Sequence, residues 1–378
     1  MVNSTGMAKG RKKILFAVTT DLNYDQRMQR ICRSLSSLPD YEVCIIGRAK
    51  SGSAPLEGEA YKQQRLSLFF EKGALFYLEY NIRLFIFLLF TRADLVCAVD
   101  LDTVLAVGLS RNFKPKRKYV FDAHEYFTEV PELKGRERVK SIWNWIGNRY
   151  IPAFDAAYTV GPALASRFTK DYGLYFNCFR NLSIKRKDQR LALAAENPFR
   201  LIYQGALNEG RGLKELINAM KQLPEFRLDI AGEGDLSQVL REQVRALALD
   251  EQVTFHGYLR PKDLPAFTRS ADLGLNLLEN KGLSYYYSLA NKTFDYIQVA
   301  LPGLHMNFPE YDSLYESHDC FYQIKDLREE TIIGTLRAIK DDTQLYKEKI
   351  RNCIKAQDSL SWEWESQRLL QFYSSVLE

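Results

Sequence analysis

Apolar and polar positions alternate along the chain in two patterns, and each pattern predicts one kind of element. Short apolar runs rich in β-branched residues, typical of buried strands, occupy residues 14–20, 43–47, 95–100, 119–123 and 157–160. Between them, apolar residues recur at helical spacing, as at Met28, Ile31 and Leu35. The first part of the chain therefore predicts strands and helices in alternation, built around a parallel sheet.

The same alternation returns after a polar interval. The chain turns polar and charged at K-R-K-D-Q-R, and we predict an interdomain linker over residues 184–199. Strand-like runs then occupy residues 201–204, 228–231, 253–255, 273–277 and 303–306. The predicted organisation is a domain over residues 1–183, a second over 200–357, and a final helix over 358–378. Trp362, Leu369 and Tyr373 give that helix an apolar stripe able to dock on a domain.

The most apolar stretch, residues 75–90, predicts a helix that has two open interpretations. Glu79, Asn81 and Arg83 interrupt it, so its uncharged run is shorter than the ~18 to 20 residues of a transmembrane span. It is either a helix buried against the sheet or a helix that rests at a membrane interface. Two basic clusters would favour the membrane, unless they are merely solvated faces: Lys114, Lys116, Arg117 and Lys118, and Lys134, Arg136, Arg138 and Lys140.

The composition is that of an ordinary globular protein with room for two domains, with 378 residues of which 46% are hydrophobic and 26% charged. Lys and Arg exceed Asp and Glu by 52 − 47 = 5, a mild excess that suits phosphorylated ligands or an anionic membrane better than nucleic acid. Six cysteines without a C-x-x-C pair predict free thiols in a reducing compartment and no zinc site. The basic N-terminus has no apolar segment before the first strand and predicts a disordered leader, not a secretion signal.

Polar residues follow three of the predicted strands, at the ends where parallel sheets bind their ligands. They are Asp21, Asn23 and Asp25 after the first strand, Asp100 and Asp102 after the third, and His124 and Glu125 after the fourth. We expect them at one edge of the first sheet.

The stretch 284–302 begins as a run of tyrosines and becomes a helix that ends before Pro302. Asn291 is its predicted cap. A helix N-terminus offers free N–H groups and a partial positive charge, so Lys292 in the first turn suits an anion such as a diphosphate. Asp295, one turn further, is an acceptor for sugar hydroxyls. The alternative interpretation is a capped amphipathic helix whose Lys292 and Asp295 are solvated.

Two glycine-rich loops join predicted strands to helices in the second domain. The loop G-A-L-N-E-G-R-G at residues 205–212 combines close backbone approach, a helix start and Arg211, which together suit a phosphate. A tight strand-to-helix turn would have a similar sequence. The turn A-G-E-G-D at residues 231–235 is a weaker signal, because a lone G-x-G is more often turn geometry than a ligand loop.

These segments together resemble glycosyltransferase family 4 of the GT-B enzymes, along nearly the whole chain. The similarity lies in D-Q-R-M-Q-R-I, F-D-A-H-E, Y-T-V-G-P-A-L, Y-Q-G-A-L-N-E-G-R-G, I-A-G-E-G, V-T-F-H-G-Y-L and N-K-T-F-D-Y-I-Q-V-A-L-P, in that order. The resemblance implies an α/β GT-B fold of two Rossmann-like parallel-sheet domains facing across a cleft. It also implies a donor site on the second domain, an acceptor site on the first, and a last helix that returns to the first domain.

Individual positions carry over with two departures. Arg211 matches the basic residue that contacts the diphosphate, Asp295 the carboxylate that holds the ribose, and His124 the histidine near the transferred sugar. Ala206 stands where the family usually has arginine, and Tyr287 where it has its first glutamate. We expect Lys292 to restore the missing positive charge. The complete candidate set is His124, Arg211 and Lys292 for catalysis; Gly205, Gly212, Gly234, Gly257, Tyr258, Tyr287, Asn291 and Asp295 for the donor; and Asp21, Asn23, Asp25, Asp102 and Glu125 for the acceptor.

The resemblance implies a retaining glycosyltransferase that moves a sugar from a nucleoside-diphosphate sugar to a glycan or lipid-linked acceptor, in surface polysaccharide or glycolipid synthesis. It implies no cofactor and no essential metal. We expect a cytoplasmic protein, peripheral at the inner face of an anionic cell membrane, with no nucleic-acid partner. A GT-B sugar-nucleotide epimerase and a non-catalytic nucleotide-sugar-binding protein, the latter suggested by Ala206 and Tyr287, are the alternatives.

Overall fold

The computed structural model describes residues 10–130, 133–186 and 198–378, and it divides into two compact units. Unit one comprises residues 1–179 and 366–378, and unit two comprises residues 180–365. The first nine residues of the predicted leader and residues 187–197 of the predicted linker lie outside the described residues.

Unit one is built around a parallel sheet that has seven strands within the described residues. In chain order they are β1 (Lys12–Ala17), β2 (Tyr41–Arg48), β3 (Lys62–Leu66), β4 (Leu95–Val99), β5 (Lys118–Ala123), β6 (Ala156–Thr159) and β7 (Phe176–Cys178). Their spatial order is β3-β2-β1-β4-β5-β6-β7, with Ile14 of β1 paired to Val43 on one side and Leu95 on the other. The order reverses between β1 and β4, and such a switch point is where α/β sheets bind ligands.

Helices connect these strands, as the helical spacing of the sequence predicts. They are α1 (Gln26–Ser36), α2 (Gly73–Phe90), α3 (Leu101–Arg111), α4 (Glu137–Tyr150) and α5 (Pro162–Tyr172). The side chain of Asp25 caps α1 by accepting a hydrogen bond from the Met28 N–H at 3.1 Å. From that start, Met28, Ile31 and Leu35 fall on the buried face.

Unit two repeats the plan around a parallel sheet of six strands within the described residues. Its strands are β8 (Phe199–Gln204), β9 (Phe226–Ala231), β10 (Val253–Gly257), β11 (Leu273–Asn276), β12 (Gly303–Met306) and β13 (Phe321–Ile324), in the spatial order β10-β9-β8-β11-β12-β13. Its helices are α6 (Leu213–Met220), α7 (Ser237–Ala246), α8 (Leu264–Arg269), α9 (Leu283–Tyr286), α10 (Asn291–Gln298), α11 (Pro309–His318), α12 (Glu329–Asp341) and α13 (Thr343–Ala356).

The last helix, α14 (Trp362–Leu377), begins in unit two, and its residues from 366 onward belong to unit one. Tyr373 is buried in the core of unit one, where its hydroxyl lies 2.9 Å from that of Tyr158 and its ring meets Phe16 edge-on. Phe372 packs on Phe179. Phe372 and Tyr373 of this helix therefore pack with the core of unit one.

Helix α2 carries two apolar stripes on opposite faces. One face packs into unit one through Phe76, Tyr80, Leu84 and Leu88, and the Tyr80 hydroxyl donates to the carbonyl of Val18. The opposite face is open to solvent. By length and composition alone α2 could cross a membrane, since its 18 residues have a mean hydropathy of 1.5, and 28% of them are buried. However, α2 connects β3 to β4, and one of its faces is buried in unit one, so it is a helix that packs against the sheet.

One predicted basic cluster is not a uniform surface. Arg117 is buried, and its guanidinium donates to the carbonyls of Leu88, at 2.8 Å, and Thr91 at the C-terminal end of α2. These carbonyls lack partners inside the helix, and a cation complements the negative end of the helix dipole. The grouping of Arg117 with Lys114 and Lys116 as surface cations was therefore wrong.

Candidate functional site

The first glycine-rich loop of unit two follows β8 and lies against the end of β9. Gly205, at φ 137°, donates its N–H to the Ala231 carbonyl at 2.9 Å. Gly232, at φ 139°, packs so closely that a Cβ there would collide with the Gly205 carbonyl oxygen. Both positions need glycine for their backbone conformation, and Gly232 needs it for space as well. They bring two strand ends together at an edge where backbone can approach a ligand.

Arg211 lies at the end of this loop, beside the tyrosine run. Its guanidinium stacks over the Tyr285 ring, 5.2 Å from the centroid, and its buried Nε has no hydrogen-bond partner. The Tyr285 hydroxyl donates to the Glu209 carbonyl at 2.9 Å, and its ring covers Gly210, where a Cβ would collide with it. Gly212, at φ 65°, ends the loop at the N-cap of α6. The loop thus holds an arginine with unused hydrogen-bonding capacity.

Helix α10 begins differently from the prediction. Its N-cap position is Ala290, without a side-chain cap, so the predicted capping role of Asn291 was wrong. Asn291 is already helical, and its amide oxygen accepts a hydrogen bond from Asn181 at 2.8 Å. The Ala290 N–H donates to the Tyr311 hydroxyl at 3.0 Å, and Asn276 donates to the same oxygen at 2.6 Å. Tyr311, which the sequence did not single out, therefore fixes where α10 starts.

Lys292 points inward from the first turn of α10 and has no hydrogen-bond partner. The side chain is only 8% exposed, and its Nζ lies 3.6 Å from the centroid of the Tyr203 ring. A Cβ on Gly205 would lie 3.4 Å from this Nζ, which places the amine beside the glycine loop. Burial lowers the pKa of Lys292 well below its usual value and nearby Arg211 lowers it further, while Asp295 opposes them. A buried amine without a partner, next to an arginine, favours the binding of an anion.

Asp295 lies one turn further along α10 and is held from two sides. Ser183 donates to one carboxylate oxygen at 2.5 Å and Gln204 Nε2 to the other at 2.9 Å. Gln204 in turn accepts from the Thr268 hydroxyl at 2.8 Å. This chain of hydrogen bonds ties α10 to the end of β8 and fixes the carboxylate beside the loop. Sequence reasoning found Asp295 but missed Ser183 and Gln204.

The remaining donor candidates lie on neighbouring loops of unit two. Gly257, at φ 66°, accepts the Gly232 N–H at 2.7 Å, so it belongs to the same backbone cluster as Gly205. Gly234 packs against Asn208 of the first loop, where a Cβ would collide. The side chain of Tyr258 is 68% exposed, and Tyr287 is half-buried with its ring against Tyr286 at 5.2 Å.

In unit one, His124 lies at the carboxyl end of β5 between two carboxylates. Nε2 is 3.2 Å from Asp122 and Nδ1 is 3.4 Å from Asp100. The backbone N–H of His124 also donates to Asp100 at 2.8 Å. Burial alone would lower the pKa of His124, but Asp100 and Asp122 raise it to about 9. His124 is therefore an imidazolium at neutral pH, with both ring N–H groups directed at carboxylates.

A buried ion pair lies behind His124 and was not predicted from the sequence. Arg27 of α1 lies 3.2 Å from Asp122, both side chains are almost fully buried, and Arg27 also donates to the Phe179 carbonyl at 3.3 Å. Burial raises the pKa of Asp122, but Arg27 and His124 together hold it below its usual value. The two residues lie 95 positions apart, and only the pairing of a charge in F-D-A-H-E with one in D-Q-R-M-Q-R-I could have signalled them.

Asp100 and Asp102 complete the polar edge. Asp100 has φ 56°, a left-handed backbone that is strained for aspartate, and such strain is often found at functional sites. Asp102 accepts a hydrogen bond from Thr19 at 2.5 Å, and its other oxygen is buried without a partner. Burial and the nearby charge of Asp100 raise the pKa of Asp102 to about 7. Unit one thus gathers His124 and three carboxylates at the switch point of its sheet.

The other acceptor-side candidates have local partners. Asp21 is buried and bonded to Ser53, at 2.6 Å, and to Arg65, at 2.5 Å. Asn23 donates to the Pro55 carbonyl at 2.9 Å, and Asp25 caps α1. Glu125 is exposed beside His124. Within the described part of the chain, no group of His, Cys, Asp and Glu has a geometry that could hold a metal ion.

Comparison with known proteins agrees with this architecture. Residues 185–283 match a protein-family model described as Glycosyl transferases group 1. HepE from Anabaena, solved with UDP and glucose, is similar with a TM-score of 0.74 at 16% identity, covering 97% of this chain and 100% of that one. Sucrose-phosphate synthase from Thermosynechococcus elongatus gives a TM-score of 0.77 at 13% identity, covering 97% and 99%.

A third similar structure is WaaG, a glycosyltransferase involved in lipopolysaccharide biosynthesis, with a TM-score of 0.69 at 15% identity over 95% of this chain and 99% of that one. At such identities these likenesses establish the fold. No curated protein sequence matches the chain. The chain thus has the GT-B fold of two Rossmann-like domains, and residues 185–283 of its second unit match the glycosyl transferases group 1 model.

Proposed function

We propose that this protein transfers a sugar, with retention of anomeric configuration, from a nucleoside-diphosphate sugar to a glycan or lipid-linked acceptor. One observation carries the proposal: the buried Lys292 amine has no partner and lies beside the Gly205 backbone, next to Arg211. A fold does not keep such a group without compensation, because an unpaired buried polar atom costs about 1 to 3 kcal/mol. A diphosphate supplies the compensation.

The chemistry of transfer requires this arrangement. When a nucleoside diphosphate leaves a sugar, negative charge grows on the leaving group and positive charge on the sugar ring. Arg211, Lys292 and the N–H groups at the start of α10 offer positive charge and donors to the leaving phosphates. We propose that these cations neutralise the leaving group, so that transfer needs no metal.

The ribose is assigned to Asp295. Its carboxylate is held by Ser183 and Gln204 one turn along α10 from Lys292, and a carboxylate is an acceptor for the hydrogen bonds that ribose hydroxyls donate. HepE, which shares the fold, was solved with UDP and glucose, which supports a nucleotide-sugar donor for this chain.

For His124 we propose an electrostatic role. Both ring N–H groups are directed at carboxylates, and its pKa of about 9 keeps the ring protonated, so it is a poor general base at neutral pH. An imidazolium fixed at the switch point orients polar hydroxyls of a substrate bound there. We further propose that the protein works on the cytoplasmic side, where sugar nucleotides are made.

Isothermal titration with UDP, GDP, ADP and inorganic pyrophosphate tests the anion site. We expect at least one nucleoside diphosphate to bind, and R211A to weaken both that nucleotide and pyrophosphate by about 10-fold or more. K221A, which removes an exposed cation at the end of α6, is the matched control and should leave both affinities unchanged. If R211A and wild type titrate identically, the site does not bind the diphosphate.

A further inference from the structure

The solvent face of α2 carries a continuous apolar stripe. Leu75, Leu78, Ile82, Ile86 and Phe90 recur at intervals of three and four residues, and each is between 50% and 84% exposed. We call these five residues the outer stripe. Water-exposed apolar residues scattered singly are normal, but a row along a whole helix marks an interaction surface.

The structure also holds an exposed phenylalanine beside the start of this stripe. Glu79 of α2 accepts the N–H groups of Phe69 and Phe70 at 2.9 and 3.0 Å, which pins the preceding loop to the helix. Arg83 donates to Glu79 at 2.8 Å and lies over the Phe69 ring at 5.2 Å. Glu79 is therefore neutralised, while the ring of Phe69 remains exposed to water.

Positive charge surrounds the outer stripe. Lys72 and Arg92 flank the two ends of α2 and are exposed, and neither forms an ion pair within the described residues. Phe113 packs edge-on against Phe85 of α2, with centroids 5.7 Å apart, and carries Lys114 and Lys116 next to it in the chain. Arg117 anchors this loop to the end of α2, so its position relative to the helix is fixed.

Helix α4 adds a second exposed apolar row, Val139, Ile142 and Trp145. Its buried Trp143 meets Tyr77 of α2 edge-on, with centroids 5.1 Å apart, so the two helices are neighbours on one layer of unit one. Aromatic side chains, aliphatic side chains and cations on one layer are the composition of a surface that lies in a lipid headgroup region.

We propose that the outer stripe, with Phe69 and the cations around it, is a docking surface for an anionic lipid bilayer, in which α2 lies in the plane of the interface and does not cross it. A second copy of this chain is a poorer occupant, because it would bring the same cations face to face. The proposal deepens the lipid-linked acceptor of the proposed function, and bilayer binding is measured without sugar transfer, so that either idea can fail alone.

Co-sedimentation of the full chain with phosphatidylglycerol-containing vesicles and with pure phosphatidylcholine vesicles tests it. The stripe variant I82Q/I86Q removes exposed apolar groups while keeping helix propensity. Its matched control is V239Q/I354Q, which removes two half-exposed apolar residues from unit two. The charge variant K114Q/K116Q leaves the buried Arg117 in place, and K221Q/K262Q is its control on unit two.

We expect wild-type protein and both controls to bind anionic vesicles at low salt and to bind neutral ones far less. I82Q/I86Q should lower the partition coefficient by about tenfold or more, and K114Q/K116Q by about 10- to 30-fold. Equal binding of I82Q/I86Q and wild type, or no binding of wild type, overturns the proposal. So does a dimer in sedimentation velocity that I82Q/I86Q dissociates, since the stripe is then covered by a second copy.

Discussion

Replacing Lys292 by methionine should strengthen the folded protein and weaken its ligand binding at once. In the free protein the amine is buried, has no partner and has a pKa held well below its usual value. Removing an unpaired buried polar group recovers part of the ~1 to 3 kcal/mol it costs. Methionine is also unbranched and is one heavy atom shorter than lysine, and we expect its thioether to pack on the Tyr203 ring that Lys292 contacts.

We therefore expect K292M to raise the free energy of unfolding of unit two by about 1 to 2 kcal/mol. Nucleoside-diphosphate affinity should fall by about 1.5 to 3 kcal/mol, a 10- to 150-fold rise in Kd, because a charge-assisted hydrogen bond is lost. Denaturant unfolding followed by a unit-two probe, and titration calorimetry with the bound nucleotide, measure the two changes. K221M, at an exposed lysine of the same unit, is the control for both.

The lowered pKa of Lys292 determines how stability and diphosphate affinity change with pH. Since the folded pKa of Lys292 lies below its usual 10.5, the unfolded chain binds more protons, and this residue makes stability rise with pH between the two values. Diphosphate binding favours the ammonium, so affinity should fall as pH rises through the same window. A K292M protein that is less stable than wild type and binds nucleotide equally well would refute this reasoning, because Lys292 would then be a structural residue.

Three further predictions follow from the geometry. G232A should destabilise unit two by more than about 2 kcal/mol, measured by urea unfolding, because its Cβ would collide with the Gly205 carbonyl; G334A, at an open position in α12, should not. D122N should destabilise unit one by about 3 to 5 kcal/mol, since Arg27 keeps a buried charge without its partner. In wild type, the contribution of His124 to stability is complete below pH 6.5 and is lost as pH rises through about 9. Histidine NMR titration should show a lower pKa of His124 in D122N than in wild type. D295N should weaken nucleoside-diphosphate binding and spare pyrophosphate in calorimetry; equal losses would move the ribose elsewhere.

Much of the fold could be predicted from the sequence because its buried parallel strands are continuous apolar runs. The residues 303–306 match β12 in both bounds. The strands that were missed have physical reasons: β3 reads K-Q-Q-R-L because it is a half-exposed edge strand, and β7 and β13 also lie at sheet edges and have only three and four residues. Short or polar edge strands give no period-two signal long enough to recognise.

The parts of the candidate site that depend on adjacent residues could be predicted from the sequence. The parts that depend on contacts between distant segments could not. The glycine loops and the lysine in the first turn of α10 can be recognised from neighbouring residues in the sequence. The start of α10 depends on the Tyr311 hydroxyl, and the environment of His124 depends on Arg27, each brought in from a distant segment. Likewise, nothing local distinguishes buried Arg117 from exposed Lys116.

Turnover of activated sugars tests the proposed sugar transfer most directly. The protein is incubated with a panel of UDP-, GDP- and ADP-sugars without acceptor, and the products are followed by NMR. We expect slow release of nucleoside diphosphate and free sugar from at least one donor, with the sugar appearing first in the donor's anomeric configuration, and we expect R211A and K292M to be inactive. Recovery of an isomerised nucleotide sugar would indicate an epimerase, and binding of a nucleotide sugar without any turnover, also in the presence of glycan and lipid-linked acceptors, would contradict a transferase.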